Sequence, residues 1–130
     1  MSQYTGSCHC GNVLFAVISE IEELTTCDCS LCAKKNAVMF KVHESDFELH
    51  TDWDELGLYQ WNTEVAKHYF CKNCGIYTFH RKRAAPDHYG INVYCLDDVD
   101  ISTINIRKTE GATMTVECTS PRQQWPGPRR

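Results

Sequence analysis

The fold of this chain is decided by the segment Ala66-Lys67-His68-Tyr69-Phe70-Cys71-Lys72-Asn73-Cys74-Gly75-Ile76-Tyr77-Thr78-Phe79-His80. Its two ends, residues 66–70 and 76–80, are short runs rich in aromatic residues, and such runs are typical of β-strands. The two cysteines between the runs are three positions apart, so one sharp turn can place both sulfur atoms on a single metal ion. The segment therefore predicts two strands with a metal-binding turn between them.

Two more cysteine clusters lie earlier in the chain, Cys8-His9-Cys10 and Cys27-Asp28-Cys29-Ser30-Leu31-Cys32. Together the three clusters contain seven of the nine cysteines. Closely spaced thiolates favour soft metals, and zinc is the metal most typical of such sites. A zinc ion with four thiolates is closed, whereas one with three keeps a coordination position open for water or substrate. Seven thiolates therefore predict two zinc ions per chain, one closed and one open.

Three other arrangements would use the cysteines differently. Disulfides suit small secreted proteins, but the sequence begins Met1-Ser2-Gln3-Tyr4-Thr5-Gly6 without the basic and apolar stretches of a signal peptide. An iron–sulfur cluster would take four thiolates and leave three without a role. Two purely structural zinc sites, completed by a histidine or an eighth cysteine, are the stronger rival. Reduced, metal-bound cysteines also predict a cytoplasmic protein.

Length and composition indicate one ordinary globular domain. The chain has 130 residues, enough for a single hydrophobic core, and 42% of them are hydrophobic. No apolar run approaches the roughly 20 residues that a membrane-spanning helix needs. The formal net charge of −4 and the isoelectric point near 5.8 argue against nucleic acid as a partner. We therefore expect no nucleic-acid or membrane partner, and a monomer or weak homo-oligomer.

Short runs rich in branched and aromatic residues continue along the chain and predict a mainly β fold. These runs span residues 13–18, 37–42, 55–61, 90–94 and 113–117. Residues 30–35 are a candidate for one helical turn, and residues 96–100 are a candidate for the cap of another short helix. Residues 120–130 hold three of the four prolines and show no strand pattern. We therefore expect a zinc-binding domain over residues 1–119 and a C-terminal tail rich in proline and arginine.

Spacing alone leaves open how the clusters pair in space. In one division, the second and third clusters share an ion through Cys29, Cys32, Cys71 and Cys74. In the other, the first and third clusters share it through Cys8, Cys10, Cys71 and Cys74. The second division is physically simpler, because the three thiolates of the remaining cluster lie within six consecutive residues and can cap one face of an ion from a single loop.

The motifs resemble those of the glutathione-dependent formaldehyde-activating enzyme family. The resemblance runs from Gly6 to Val99 and rests on Gly6-Ser7-Cys8-His9-Cys10-Gly11, on the second and third clusters, and on Asn92-Val93-Tyr94-Cys95-Leu96-Asp97. It implies an Mss4-like fold, a small all-β domain of short antiparallel strands pinned by zinc. It also implies a carbon–sulfur lyase that reversibly joins formaldehyde and glutathione to give S-hydroxymethylglutathione.

The resemblance also implies which residues hold each metal ion. It places a structural zinc on Cys8, Cys10, Cys71 and Cys74, and a catalytic zinc on Cys27, Cys29 and Cys32. An open position on the catalytic zinc would deprotonate a thiol at neutral pH and hold it beside an aldehyde carbon. Ser30 either donates a hydrogen bond to the thiolate or the forming alkoxide, or only caps its turn.

The sequence departs from the family pattern at two positions. Tyr94 stands where many relatives carry arginine, and Ile76 stands where a small hydroxyl residue is common. The predicted substrate is therefore a glutathione-like thiol adduct of a small aldehyde rather than glutathione in particular. The alternative function is a non-enzymatic, zinc-stabilised module that binds another protein.

The histidines and the two remaining cysteines complete the candidates. His9 lies between two ligands and is expected to point away from the metal. His68 and His80 flank the third cluster and either line a pocket or sit on a sheet face. Cys95 is expected to be a buried structural thiol. The other histidines, His43, His50 and His88, are predicted to lie at the surface, and Cys118 has no predicted role.

Overall fold

The computed structural model describes residues 2–27, 30–60, 66–83 and 85–109. In this part of the chain ten strands form two sheets. The strands are β1 (Ser2–Ser7), β2 (Leu14–Ser19), β3 (Glu23–Cys27), β4 (Met39–His43), β5 (Phe47–Leu49), β6 (Leu56–Tyr59), β7 (Lys67–Cys71), β8 (Tyr77–Arg81), β9 (His88–Asn92) and β10 (Asn105–Thr109). The α-helix α1 spans Ser30–Lys35, and short 3-10 turns cover Glu44–Asp46, Trp53–Glu55, Val93–Cys95 and Ile101–Thr103.

The smaller sheet has the strand order β1-β2-β5, and the larger sheet has the order β10-β3-β4-β9-β8-β7-β6. Neighbouring strands are antiparallel, except that β10 runs parallel to β3. Short connections favour antiparallel pairs, whereas a parallel pair needs a long crossover. Here the crossover is the whole segment between residues 27 and 105. Strand β10 is therefore the last strand along the sequence, although it pairs with the early strand β3.

An aromatic cluster joins the two sheets. Phe47 on β5 lies 4.7 Å from Phe79 and 4.5 Å from Tyr89 of the larger sheet, measured between ring centroids. Phe15 on β2 lies 5.7 Å from Phe79. Phe79 and Phe15 are almost completely buried. Burial of such large apolar rings is the main favourable contribution to folding, so this cluster forms the centre of the core.

The predicted fold class, a small mainly β domain of short and mostly antiparallel strands, is confirmed. Strands β2, β4, β6, β7, β8 and β9 correspond to predicted runs, and the helix at residues 30–35 is also confirmed. The run at residues 113–117, the tail at residues 120–130 and the boundary between domain and tail lie outside the described residues. Within the described residues, no helix has the length and hydrophobicity needed to cross a membrane.

The cap of a short helix predicted at residues 96–100 is confirmed at Asp100, although the residues before it are not themselves helical. Leu96 forms an isolated β-bridge with Gly6, which takes it out of any helix. Asp98 has a φ of 58°, in the left-handed region that a right-handed helix cannot include. The Asp100 carboxylate accepts a hydrogen bond from the Ser102 backbone N–H at 3.0 Å and so caps the following 3-10 turn.

Replacement of Phe79 by alanine tests the aromatic core. We expect Phe79→Ala to lower the free energy of unfolding by about 3–5 kcal/mol, because the cavity lies where both sheets meet. Chemical denaturation of the zinc-loaded protein measures the change. Leu58→Ala on β6 is the matched control, since that side chain is 49% exposed. A similar loss of stability in both variants would contradict the central position of Phe79.

Candidate metal centre

Four cysteine sulfur atoms meet where the two sheets adjoin. The sulfur atoms of Cys8, Cys10, Cys71 and Cys74 all lie within 4.8 Å of one another. The Cys10 sulfur lies 3.6 Å from that of Cys8 and 3.6 Å from that of Cys71. A tetrahedral zinc ion with Zn–S bonds of about 2.3 Å would space its sulfur ligands about 3.8 Å apart. The four residues therefore fit one zinc ion and could hold it.

Two tight turns present these sulfur atoms. In the first, the Cys8 backbone N–H donates to the Val13 carbonyl oxygen at 3.1 Å, and the Val13 N–H donates to the Cys8 sulfur at 3.3 Å. In the second, the Cys71 N–H donates to the Ile76 carbonyl oxygen at 3.0 Å. Each turn includes a glycine in the left-handed region, Gly11 with a φ of 85° and Gly75 with a φ of 78°. Such backbone is strained for other residues, which explains a glycine after each cysteine pair.

Backbone donors and burial act on the thiols in opposite directions. Backbone N–H groups at Cys10 and Ile76 lower the pKa of Cys74 to about 6. Burial raises the pKa of Cys71 to about 11, although the N–H groups of Cys74 and Asn73 point at its sulfur. Four thiols in this state would not all ionise at neutral pH by themselves. A divalent cation would supply the charge that makes them all thiolates.

The second cysteine cluster stands apart from this group. Cys27 is the last residue of β3, and Cys32 lies in α1. Neither belongs to the group of four, which already contains Cys71 and Cys74. Spacing alone left two divisions of the cysteines open. The structure matches the division in which the first and third clusters share one site. Cys29 and the side chain of Ser30 lie outside the described residues, so the three-cysteine zinc site stays a prediction.

A buried polar group lies on the β7–β8 hairpin, and sequence reasoning found only part of it. The rings of His68 and His80 stack with their centroids 5.1 Å apart. The Lys35 ammonium lies 3.1 Å from Nδ1 of His68 and 3.8 Å from the centre of the Tyr77 ring. The Tyr77 hydroxyl oxygen lies 2.5 Å from Nδ1 of His80. The two histidines were expected to line a pocket or a sheet face, but Lys35 and Tyr77 carried no signal in the sequence that linked them to these rings.

Lys35 connects this polar group to the second cysteine cluster. It follows Cys32 by three residues in α1, and residues three apart lie on the same side of a helix. Burial lowers the pKa of His80 well below its ordinary value, Lys35, His68 and Lys82 lower it further, and Cys27 opposes them. Through Lys35, the polar group therefore contacts the helix that carries Cys32.

The remaining histidines and Cys95 differ in their outcomes. His9 is exposed, and it does not belong to the four-residue group. Cys95 is buried as predicted, and burial raises its pKa to about 12. His43 and His88 are half-buried rather than fully at the surface, since their rings pack edge to face at 5.1 Å. The seven described cysteines, all of the nine except Cys29 and Cys118, form no disulfide.

A protein-family model and a solved structure each match this chain over most of its length. The family model described as glutathione-dependent formaldehyde-activating enzyme matches residues 3–109. A Rhodobacter sphaeroides protein of known crystal structure is 35% identical in sequence, with a TM-score of 0.72. The similarity covers 79% of this chain and 99% of the Rhodobacter protein. The matched residues include all three cysteine clusters.

Loss of one thiolate from the four-cysteine group tests its structural role. A structural zinc site contributes about 10–16 kcal/mol in small zinc-dependent domains, which is as large as the total stability of about 5–15 kcal/mol of a typical domain. We therefore expect Cys71→Ser to lose this metal ion and its cooperative thermal unfolding transition. Cys95→Ala is the control, because Cys95 is buried outside the group and its loss should leave the metal content unchanged. A Cys71→Ser protein that melts like the parent would rule out a structural metal here.

Proposed function

Because this chain belongs to the family of glutathione-dependent formaldehyde-activating enzymes, we propose that it is a zinc-dependent carbon–sulfur lyase acting on the adduct of a thiol and a small aldehyde. The observation that carries the proposal is the separation of the cysteines. Four of them are gathered into one group, and Cys27 and Cys32 lie outside it. We assign a structural zinc to the group of four and a catalytic zinc to Cys27, Cys29 and Cys32, which makes two zinc ions per chain.

Secondary structure holds the described residues of the proposed catalytic site on both sides. Cys27 pairs with Thr109 across β3 and β10, and the Thr109 hydroxyl donates to the Thr26 carbonyl oxygen at 3.0 Å. Cys32 lies in α1, where its carbonyl oxygen accepts a hydrogen bond from the Asn36 N–H at 3.0 Å. Asn36 has a left-handed φ of 51° and ends the helix. Ligands held on regular elements can keep the geometry that a metal site needs.

The chemistry follows from three thiolates on one metal ion. A zinc ion at Cys27, Cys29 and Cys32 would supply the Lewis acid that keeps a bound thiol ionised at neutral pH. The chain holds that thiolate and an aldehyde close together, so proximity contributes much of the acceleration. Ser30 is proposed to donate a hydrogen bond to the sulfur or to the developing alkoxide. Reduced cysteines are the form that the cytoplasm maintains, and we place the reaction there.

The proposed substrate is a glutathione-like thiol adduct, with formaldehyde and glutathione as the first pair to examine. Tyr94 is 63% exposed and Ile76 is 39% exposed. Both departures from the family pattern are therefore at the surface, where they can alter which thiol is recognised without disturbing the cysteines. Small thiols other than glutathione belong in the same assay.

Separate substitutions in the two cysteine sets test the proposal. We expect wild-type protein to contain two zinc ions per chain and to accelerate exchange between free and adduct thiol, as followed by NMR at equilibrium. Cys32→Ser should stay folded, retain one zinc ion and lose the acceleration, because only the open site is damaged. Elemental analysis and thermal melts provide the other two measurements.

The same experiment can also refute the proposed function. Wild-type protein that holds zinc but accelerates the exchange of no small thiol would refute the lyase. It would favour the alternative, a zinc-stabilised module that binds another protein. Ser30→Ala serves as a second variant, since a catalytic hydroxyl predicts a slower exchange and a turn cap predicts lower stability alone.

A further inference from the structure

His68 and His80 occupy directly opposed positions on β7 and β8. Their rings lie nearly parallel, with 19° between the planes, and the residues are only 8% and 7% exposed. Histidine is seldom buried without a specific polar partner, because desolvation of the imidazole is costly. The partners of this pair determine where the two rings carry their protons.

Lys35 determines the proton position on His68. An ammonium group can only donate hydrogen bonds, so Nδ1 of His68, 3.1 Å away, must accept. A neutral ring that accepts at Nδ1 carries its proton on Nε2. Burial, and after it the charge of Lys35, lowers the pKa of His68 to about 3, which keeps the ring neutral at physiological pH.

Tyr77 determines the proton position on His80 in the same way. Its hydroxyl lies 2.5 Å from Nδ1 of His80, whereas its contacts to the Met39 sulfur and the Gly90 carbonyl oxygen are both 3.4 Å. Burial raises the pKa of Tyr77 well above its ordinary value, so the hydroxyl stays protonated and can donate. The Tyr77 hydroxyl donates its proton to the nearest of these three acceptors, Nδ1 of His80. His80 therefore carries its own proton on Nε2, as His68 does.

Two backbone features hold the His80 ring in place. Residues three apart in a regular strand point to opposite faces. The pairing of β7 with β8 shifts register between Tyr69 and Phe70, and this irregularity lets the Tyr77 side chain reach His80. Gly90 lies opposite His80 on β9, and a Cβ atom there would come within 2.3 Å of the ring. The ring therefore lies directly on the Gly90 backbone.

The Nε2 edges of both rings remain for a ligand. Within the described residues, the hydrogen-bond partners of the two rings are at Nδ1, and no buried side-chain nitrogen or oxygen lacks a partner. Both Nε2 atoms therefore reach the accessible surface. Lys35 ties the pair to α1, one turn beyond Cys32, so these donors lie beside the proposed three-cysteine site.

We propose that the Nε2–H groups of His68 and His80 form an oxyanion site for the aldehyde oxygen. The role rests on the lyase proposed above. When the thiolate sulfur attacks the carbonyl carbon, the C–S bond forms and the π electrons move to oxygen, which then takes a proton from water. In the reverse direction the hydroxyl loses that proton and the C–S bond breaks. Two fixed donors aimed at the oxygen stabilise the charge that exists only during this step.

Removal of the donors should slow the chemical step without weakening thiol binding. Loss of one oxyanion donor typically costs about 100- to 1000-fold in kcat. We expect His68→Phe and His80→Phe each to lower kcat by about 100-fold and to leave KM for the thiol within about threefold. His68→Gln and His80→Gln place an amide N–H near the Nε2 position and should recover part of the rate. His50→Phe is the control, because His50 follows β5 in the smaller sheet and is exposed.

The test separates this inference from the lyase on which it rests. Wild-type protein without any acceleration would refute the lyase and the oxyanion role together. Acceleration that survives in folded, zinc-loaded Phe variants would overturn the oxyanion role alone. A ¹⁵N NMR measurement of the wild-type rings gives a readout that needs no activity: both should be neutral with the proton on Nε2. A proton on Nδ1, or a charged ring, at pH 7 would also overturn the proposal, even if the Phe variants fail to fold.

Discussion

Four sulfur atoms within 4.8 Å of one another are the constraint on which the rest of this structure depends. Cys8 and Cys10 follow β1 in the smaller sheet, whereas Cys71 ends β7 and Cys74 lies in the turn to β8 in the larger sheet. Thiolates at this spacing repel one another, and only a cation among them can compensate. The group therefore joins the two sheets at a point where the chain brings four cysteines together and a metal ion would compensate their charge. The aromatic core around Phe79 completes the connection.

One hairpin carries both the structural group and the proposed donors. Cys71 ends β7 and presents its sulfur to the group of four, while His68 lies three residues earlier on the same strand. Strands rise about 3.3 Å per residue, so the two functions are separated by only about 10 Å. The turn that would hold the structural metal thereby also sets the register of His68 against His80. The four-cysteine group, which has no part in the proposed chemistry, would in this way support the orientation of the proposed histidine donors.

The strands that sequence predicted correctly are those whose residue types decide the outcome locally. Strands β7 and β8 are rich in aromatic and branched residues, and they pair as the cysteine turn between them requires. Strands β1, β3, β5 and β10 escaped prediction, and polar residues dominate β10 and leave most of it exposed. Strands β3 and β10 form because β10 finds a parallel partner 82 positions away, as in the pairing of Asn105 with Glu23. Such a pairing leaves no local periodicity to detect.

The sequence by itself determined the chemistry of the metal ligands, because residue type and close spacing make cysteine pairs into chelates wherever the chain places them. Tertiary structure decided which pairs meet. Cys10 and Cys71 are 61 positions apart, and their contact depends on how the two sheets pack rather than on any property of either cluster. The same holds for Lys35, Tyr77 and the two histidines, which three different elements bring together. Proton positions on those rings follow from partners across the fold, so no pattern along the chain could have indicated them.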